Sequence, residues 1–191
     1  MNDKKKKILF YFTWHLLPAN FGVFLSHMAH LHENNNSRTK YYYHYCDGDH
    51  LPCFNNPESN PLKCKFCRQT AKLGIQNLDF DIELIKTSSV NIDHTIKKDY
   101  SFSNLEELKN IKYKNLNAGY GALSTYVSLT RNSNPAVNDE FKKFINKIIR
   151  NQILQFKKIE ALEEKYQFNH IIFFNGRHAE VRPILDFGRM K

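Results

Sequence analysis

HIIFFNGRHAEVRPILDF, residues 170–187, reads as a strand, a tight loop and a helix. Ile171, Ile172, Phe173 and Phe174 form an unbroken β-branched and aromatic run between polar flanks. Such a run fits a strand buried on both faces, as in a parallel sheet. Asn175-Gly176 then breaks it with a turn signal. Beyond the turn, Ala179, Ile184, Leu185 and Phe187 recur at roughly helical spacing, and Pro183 suits a first helical turn, where its missing N–H costs nothing. The loop concentrates Arg177, His178, Glu180 and Arg182. In open α/β sheets, loops after the carboxyl ends of strands bind ligands, and arginines near a helix start suit a phosphate or carboxylate. The plainer alternative is a solvated surface pairing of the arginines with Glu180.

The segments upstream have the same alternating character. Lys7 to Thr13 reads as a first strand, and Phe21, Phe24, Leu25, Met28 and Leu31 mark one face of a helix after it. His27 and His30 lie on that helix as polar-face residues, while His15 falls in the loop after strand one. Lys40 to Tyr45 is a tyrosine-rich second strand. Ala136 to Tyr166 holds a 3.6-residue apolar period through Phe141, Ile145, Ile149, Ile153, Phe156 and Leu162, the pattern of a helix packed on a sheet. The expectation is one Rossmann-like α/β domain over residues 1–191 with a doubly wound parallel sheet.

A cysteine-rich insert, residues 46–67, interrupts this pattern. Its cysteines, Cys46, Cys53, Cys64 and Cys67, are spaced C-x6-C-x10-C-x2-C. Four thiolates suit a tetrahedral structural Zn²⁺, and a polar, proline-containing insert needs a staple to be ordered. Two disulfides, free thiols, a vestigial site and an iron–sulfur cluster are the alternatives. Asp47-Gly48-Asp49 has the letters of a metal-dependent DxD motif but lies inside the insert. Arg68 to Leu73 is expected to form a short helix ended by Gly74.

Phe80 to Thr87 alternates apolar and charged residues as a strand with one wet face. Ser103 with Glu106 fits a capping box opening the helix LEELKN. In Ala118-Gly119-Tyr120-Gly121-Ala122 the small residues permit close approach of a ligand or of a neighbouring helix. Gly119, Gly121, Ser124, Thr125 and Arg131 are candidates for a second wall of a phosphate or sugar site. No P-loop or dinucleotide fingerprint is present.

The formal charge of +9 favours an anionic partner: nucleic acid, a sugar nucleotide or lipid head groups. No apolar run approaches the roughly 20 residues of a membrane-spanning helix, and the basic leader Lys4 to Lys7 lacks the rest of a signal peptide. The expected location is cytoplasmic, with peripheral contact at the inner face of the membrane.

Several pieces together, the tyrosine-rich strand into Cys46, CKFCRQTAKLGI, GYGALSTYVSLTRNSNP and above all FFNGRHAEVRP, resemble the N-terminal half of bacterial capsule and surface-polysaccharide glycosyltransferase-like proteins. The resemblance implies the first Rossmann-like domain of a GT-B enzyme, which usually binds the acceptor. A second domain or partner chain would hold most of the sugar-nucleotide donor, and the acceptor would be a glycan or a lipid-linked sugar. Under that activity His15 is the candidate general base and His178 the second choice. Arg177 and Arg182 would hold phosphate or a sugar carboxylate in the Asn175-Gly176 loop, with Asn175 bonding hydroxyls. The alternative reading is a zinc-stapled basic module that binds nucleic acid, or a non-catalytic interaction module.

Overall fold

The computed structural model describes residues 6–35, 39–46, 48, 52–96 and 99–190. Lys4, Lys5, Asp47, Asp49 and His50 lie outside them. Among the described residues, four strands form one all-parallel sheet: β1 (Lys6–Tyr11), β2 (Thr39–Tyr45), β3 (Ile82–Lys86) and β4 (His170–Phe173), in the order β3-β2-β1-β4. The helices are α1 (Pro18–Glu33), α2 (Pro61–Gln76), α3 (Leu105–Lys109), α4 (Ala118–Thr130), α5 (Asp139–Tyr166) and α6 (Arg182–Gly188). The architecture is α/β and compatible with a Rossmann-like fold.

The central strands explain their own composition. Ile8, Leu9, Phe10 and Tyr11 are all buried, as are Tyr41, Tyr42 and Tyr43. Phe10 meets Phe24 of α1 edge-on at 6.0 Å on one face. Tyr42 meets Tyr166 of α5 at 5.2 Å on the other. A strand covered by helices on both faces has no wet side, so its sequence does not alternate. β4 is different. It pairs with β1 alone and is only half-buried, and Phe174 is exposed. The expectation of a strand buried on both faces is therefore corrected: β4 is an edge of the sheet among the described residues.

Two other boundaries move for identifiable reasons. The helix expected at Arg68 begins at Pro61 and runs to Gln76. Asn60 caps it by accepting a hydrogen bond from Leu62 N–H at 2.9 Å, and Pro61 sits at N1, where it is favoured. Gly74 does not end the helix. A Cβ there would lie 2.6 Å from the Phe21 ring, so the glycine lets α1 and α2 approach. The capping box is displaced by one residue: Asn104 is the N-cap of α3, and Glu107 reaches back to Ser103 N–H at 2.7 Å.

The chain runs β1, β2, β3 outward in one direction and then places β4 on the other side of β1. The strand order therefore reverses at β1, and the loops after β1 and β4 emerge side by side at the carboxyl edge. This reversal point is where open α/β sheets form a ligand crevice.

Candidate functional site

Three loops meet at that edge: Phe12 to Leu17 after β1, the segment after β2 that includes Cys53 to Asn56, and Phe174 to Val181 after β4. Glu180 ties them together. It is 3% exposed, and one carboxylate oxygen accepts Trp14 Nε1–H at 2.8 Å and Phe54 N–H at 3.0 Å. Its own carbonyl accepts from the Tyr11 hydroxyl at 3.2 Å. Burial raises the Glu180 pKa above the ordinary carboxylate value, opposed by the Trp14 and Phe54 donors. His178 lies beside it, packed edge-on against Trp14 and Phe54, each with ring centroids 5.0 Å away. Burial, aided by the Arg177 charge, lowers the His178 pKa to about 4.

The cysteines form the second part of the site. Cys46, Cys53, Cys64 and Cys67 all line one cavity of about 20 Å³, with Thr13, Leu16, Gly48, Asn56, Lys63 and Arg68. β2 delivers Cys46 at its carboxyl end. Cys53 opens a turn closed by Asn56 N–H to the Cys53 carbonyl at 3.0 Å. Cys64 and Cys67 lie one turn apart near the start of α2. Asn56 Nδ2 donates to Cys64 Sγ at 3.1 Å, and His15 Nδ1 is 3.4 Å from Cys67 Sγ. All four are free thiols. Burial raises the Cys67 pKa to about 11 and that of Cys53 well above the usual thiol value. As free thiols at neutral pH Cys53 and Cys67 are protonated, which disfavours nucleophilic catalysis by them. No group of three or more His, Cys, Asp or Glu side chains among the described residues stands in liganding geometry as it is.

The structure redistributes the residues singled out in the sequence. His15 is not an available base. It is 1% exposed, and its other nitrogen, Nε2, is bonded to the Tyr43 hydroxyl at 2.6 Å, so both ring nitrogens are engaged. It belongs to the cysteine cavity. His178 Nε2 accepts from Arg177 Nε at 3.3 Å, and the depressed pKa makes it a weak base at neutral pH. Asn175 and Arg177 are exposed, and Asn175 adopts a left-handed φ of 51°. Gly176 is needed for packing: a Cβ would lie 2.4 Å from Leu185 Cδ2.

Arg182 faces inward. Its Nε bonds Asp186 at 2.7 Å, and its guanidinium lies over the Tyr120 ring at 5.0 Å. Asp186 in turn accepts from Asn117 N–H at 2.8 Å, so this pair fixes the start of α4. Gly119 lets α4 approach Leu108 of α3, and Gly121 lets it approach Gln152 of α5 and Arg182 of α6. A Cβ on Gly119 would fall 1.7 Å from the Leu108 carbonyl oxygen, and one on Gly121 would fall 2.2 Å from Gln152 Oε1. Protein atoms thus occupy the space that a ligand would need at these two glycines. Ser124 is half-buried within α4, while Thr125, its neighbour, accepts from Ala179 N–H at 2.8 Å and so braces the β4 loop. Arg131 caps the far end of α4 in left-handed geometry and is exposed. No contact joins Arg131 to the loop after β4 among those described.

Sequence reasoning did not single out Trp14 or Asn56, and the solvated pairing of Glu180 with the arginines is corrected: Glu180 is buried and bonded to Trp14 and Phe54. The signal for Trp14 was present, since a buried indole N–H needs an acceptor.

No protein-family model matches the chain, and neither a curated protein nor a solved structure matches it. No helix among the described residues is long and apolar enough to cross a membrane.

Proposed function

We propose that the chain is a glycosyltransferase-like domain of surface or capsular polysaccharide biosynthesis, corresponding to the acceptor-binding half of a GT-B enzyme. The observation that carries this reading is the reversal of strand order at β1. It brings the Asn175-Gly176-Arg177 turn to the carboxyl edge beside the β1 loop, the place where open α/β sheets bind ligands. Beside that turn Trp14, Phe54 and His178 pack against one another, with Trp14 and His178 buried. Arg177 and Asn175 are the exposed polar groups of that turn. An exposed guanidinium and amide suit a phosphorylated or acidic sugar, the guanidinium pairing with the anion and the amide with hydroxyls. The donor nucleotide would be held mainly by a second domain or partner chain, with the assembly at the inner membrane surface.

Calorimetric titration of the chain with sugar phosphates, sugar nucleotides and acidic oligosaccharides tests this. Binding of at least one class, weakened about tenfold by Arg177→Ala, is expected, since a charge-assisted hydrogen bond contributes roughly 1.5–3 kcal/mol. Absence of binding to all three classes would overturn it. Salt-sensitive binding of an oligonucleotide at ~50 mM salt, without sugar binding, would favour a nucleic-acid module instead.

A further inference from the structure

We propose that Cys46, Cys53, Cys64 and Cys67 together bind one tetrahedral Zn²⁺, and that His15 and Asn56 are its hydrogen-bonding shell. The site is independent of the glycosyl-transfer reading. Three separate segments converge on it: the end of β2, the Cys53–Asn56 turn and the first turns of α2. A cavity of about 20 Å³ holds an ion or a water and is far too small for a sugar or nucleotide. Four thiolates are the donor set of structural zinc.

The surroundings fit a thiolate centre. On binding, each thiol releases its proton to solvent as its S–Zn bond forms, leaving a centre with two net negative charges. Lys63 and Arg68 line the same cavity and offset that charge. Asn56 Nδ2–H points at Cys64 Sγ at 3.1 Å. His15 Nδ1 stands 3.4 Å from Cys67 Sγ while its Nε2 meets the Tyr43 hydroxyl at 2.6 Å. In the tautomer in which Tyr43 donates to Nε2, the His15 proton sits on Nδ1 and is directed at the sulfur. Metal ligands are oriented by such outer donors, and their loss typically weakens binding 10–100-fold. His15 is therefore a positioning residue for the metal. As the side chains stand, the sulfurs are outside liganding geometry, so binding draws them inward.

The structural consequence is a weld. The insert has few apolar side chains to bury, and Leu62, Phe66 and Leu73 of α2 are exposed. A metal at this point fastens α2 and the Cys53 turn to the ends of β1 and β2.

The test uses the full chain purified without chelator, with no sugar present. Elemental analysis is expected to give about one zinc per chain. Zinc is expected to protect all four thiols from alkylation, read by mass spectrometry, and chelator to lower the melting temperature by roughly 10 °C. Cobalt titration of the stripped chain should give a tetrahedral thiolate spectrum saturating at one equivalent. Cys64→Ser should abolish that spectrum. His15→Gln should keep it and weaken cobalt affinity 10–100-fold, an effect that a merely structural role would not produce. Equal alkylation with and without zinc on the unaltered chain would overturn the proposal, whatever the variants do. Iron with inorganic sulfide in place of zinc would overturn it as well.

Discussion

The loops after β2 and β4 reach the same edge of the sheet and are held there by different means. In the β4 loop His178, Ala179, Glu180 and Val181 are all buried. Thr125, Trp14 and Leu185 grip that loop through a hydroxyl, an indole and a leucine side chain. In the described part of the Cys53–Asn60 turn, Asn56 is the buried residue. That turn relies on polar bonds: Asn56 gives its amide N–H₂ to the Asn60 carbonyl at 2.8 Å and accepts from Asn60 N–H at 2.8 Å. The lesson concerns what a segment must carry to be ordered. A loop with apolar residues can be fixed by the core, whereas a polar one depends on bonds of its own, to which the proposed zinc would add a cross-link.

The two regions meet at Glu180, so its removal should have the largest effect. Glu180→Ala leaves the Trp14 indole N–H and the Phe54 N–H without acceptors in a buried site. Each orphaned donor costs on the order of 1–3 kcal/mol, and a total of about 3 kcal/mol predicts a melting temperature lower by roughly 10 °C. Glu180→Gln keeps an acceptor of the same shape and should lose less than half of that. Equal losses in the two variants would show that the carboxylate's charge, not its accepting oxygen, joins the loops. Hydrogen exchange should show the Cys53 turn loosening along with the β4 loop in Glu180→Ala.

A smaller effect separates the two regions. Gly176→Ala places a Cβ 2.4 Å from Leu185 Cδ2 and 2.8 Å from Leu185 Cβ, so the leucine cannot simply swing its tip away. Overpacking of this kind costs about 1–3 kcal/mol. Thermal melts should record that loss, while thiol alkylation rates in the cysteine cavity stay unchanged. Faster alkylation would mean that the two loops fold as one unit.

The regular parts of the fold were legible because their signals are local and repeated. The long apolar period of α5 and the unbroken runs of β1 and β2 gave an α/β parallel sheet, and the structure has one. The edge position of β4 was not legible, since Ile171 to Phe174 has the composition of a central strand. α2 is longer than the expected Arg68–Leu73: it starts at Pro61, within the segment expected to be an irregular insert, and runs on through Gly74, which makes room for the Phe21 ring. At the site, the grouping of the cysteines on one cavity was legible from their types and spacing. The role of His15 was not. Its place after strand one put it at the right edge, but only tertiary structure shows Tyr43 and Cys67 on its two nitrogens. Arg182 and Gly121 share one physical fact, the packing of α6 on α4, which no spacing rule reveals.

The smallest effect is a pH dependence confined to the β4 side. His178 titrates near 4 in the folded chain, below the ordinary histidine value of 6.5, because burial disfavours its charged form. Between those values the unfolded chain binds the proton and the folded chain does not. Stability therefore falls as pH drops from about 6.5 toward 4, by no more than about 2 kcal/mol once relaxation of the site is allowed for. Glu180 acts in the opposite sense. Its folded pKa lies above the unfolded value, so the folded chain holds that proton more tightly and gains stability as pH falls through the same region. The measured slope is the difference between the two. Glu180→Gln removes the opposing contribution and should steepen the acid-side loss, whereas His178→Phe should abolish it or reverse its sign. Denaturant melts of the three chains between pH 4 and 7 separate these contributions, and an unchanged slope in His178→Phe would mean that the imidazole is not the group responsible.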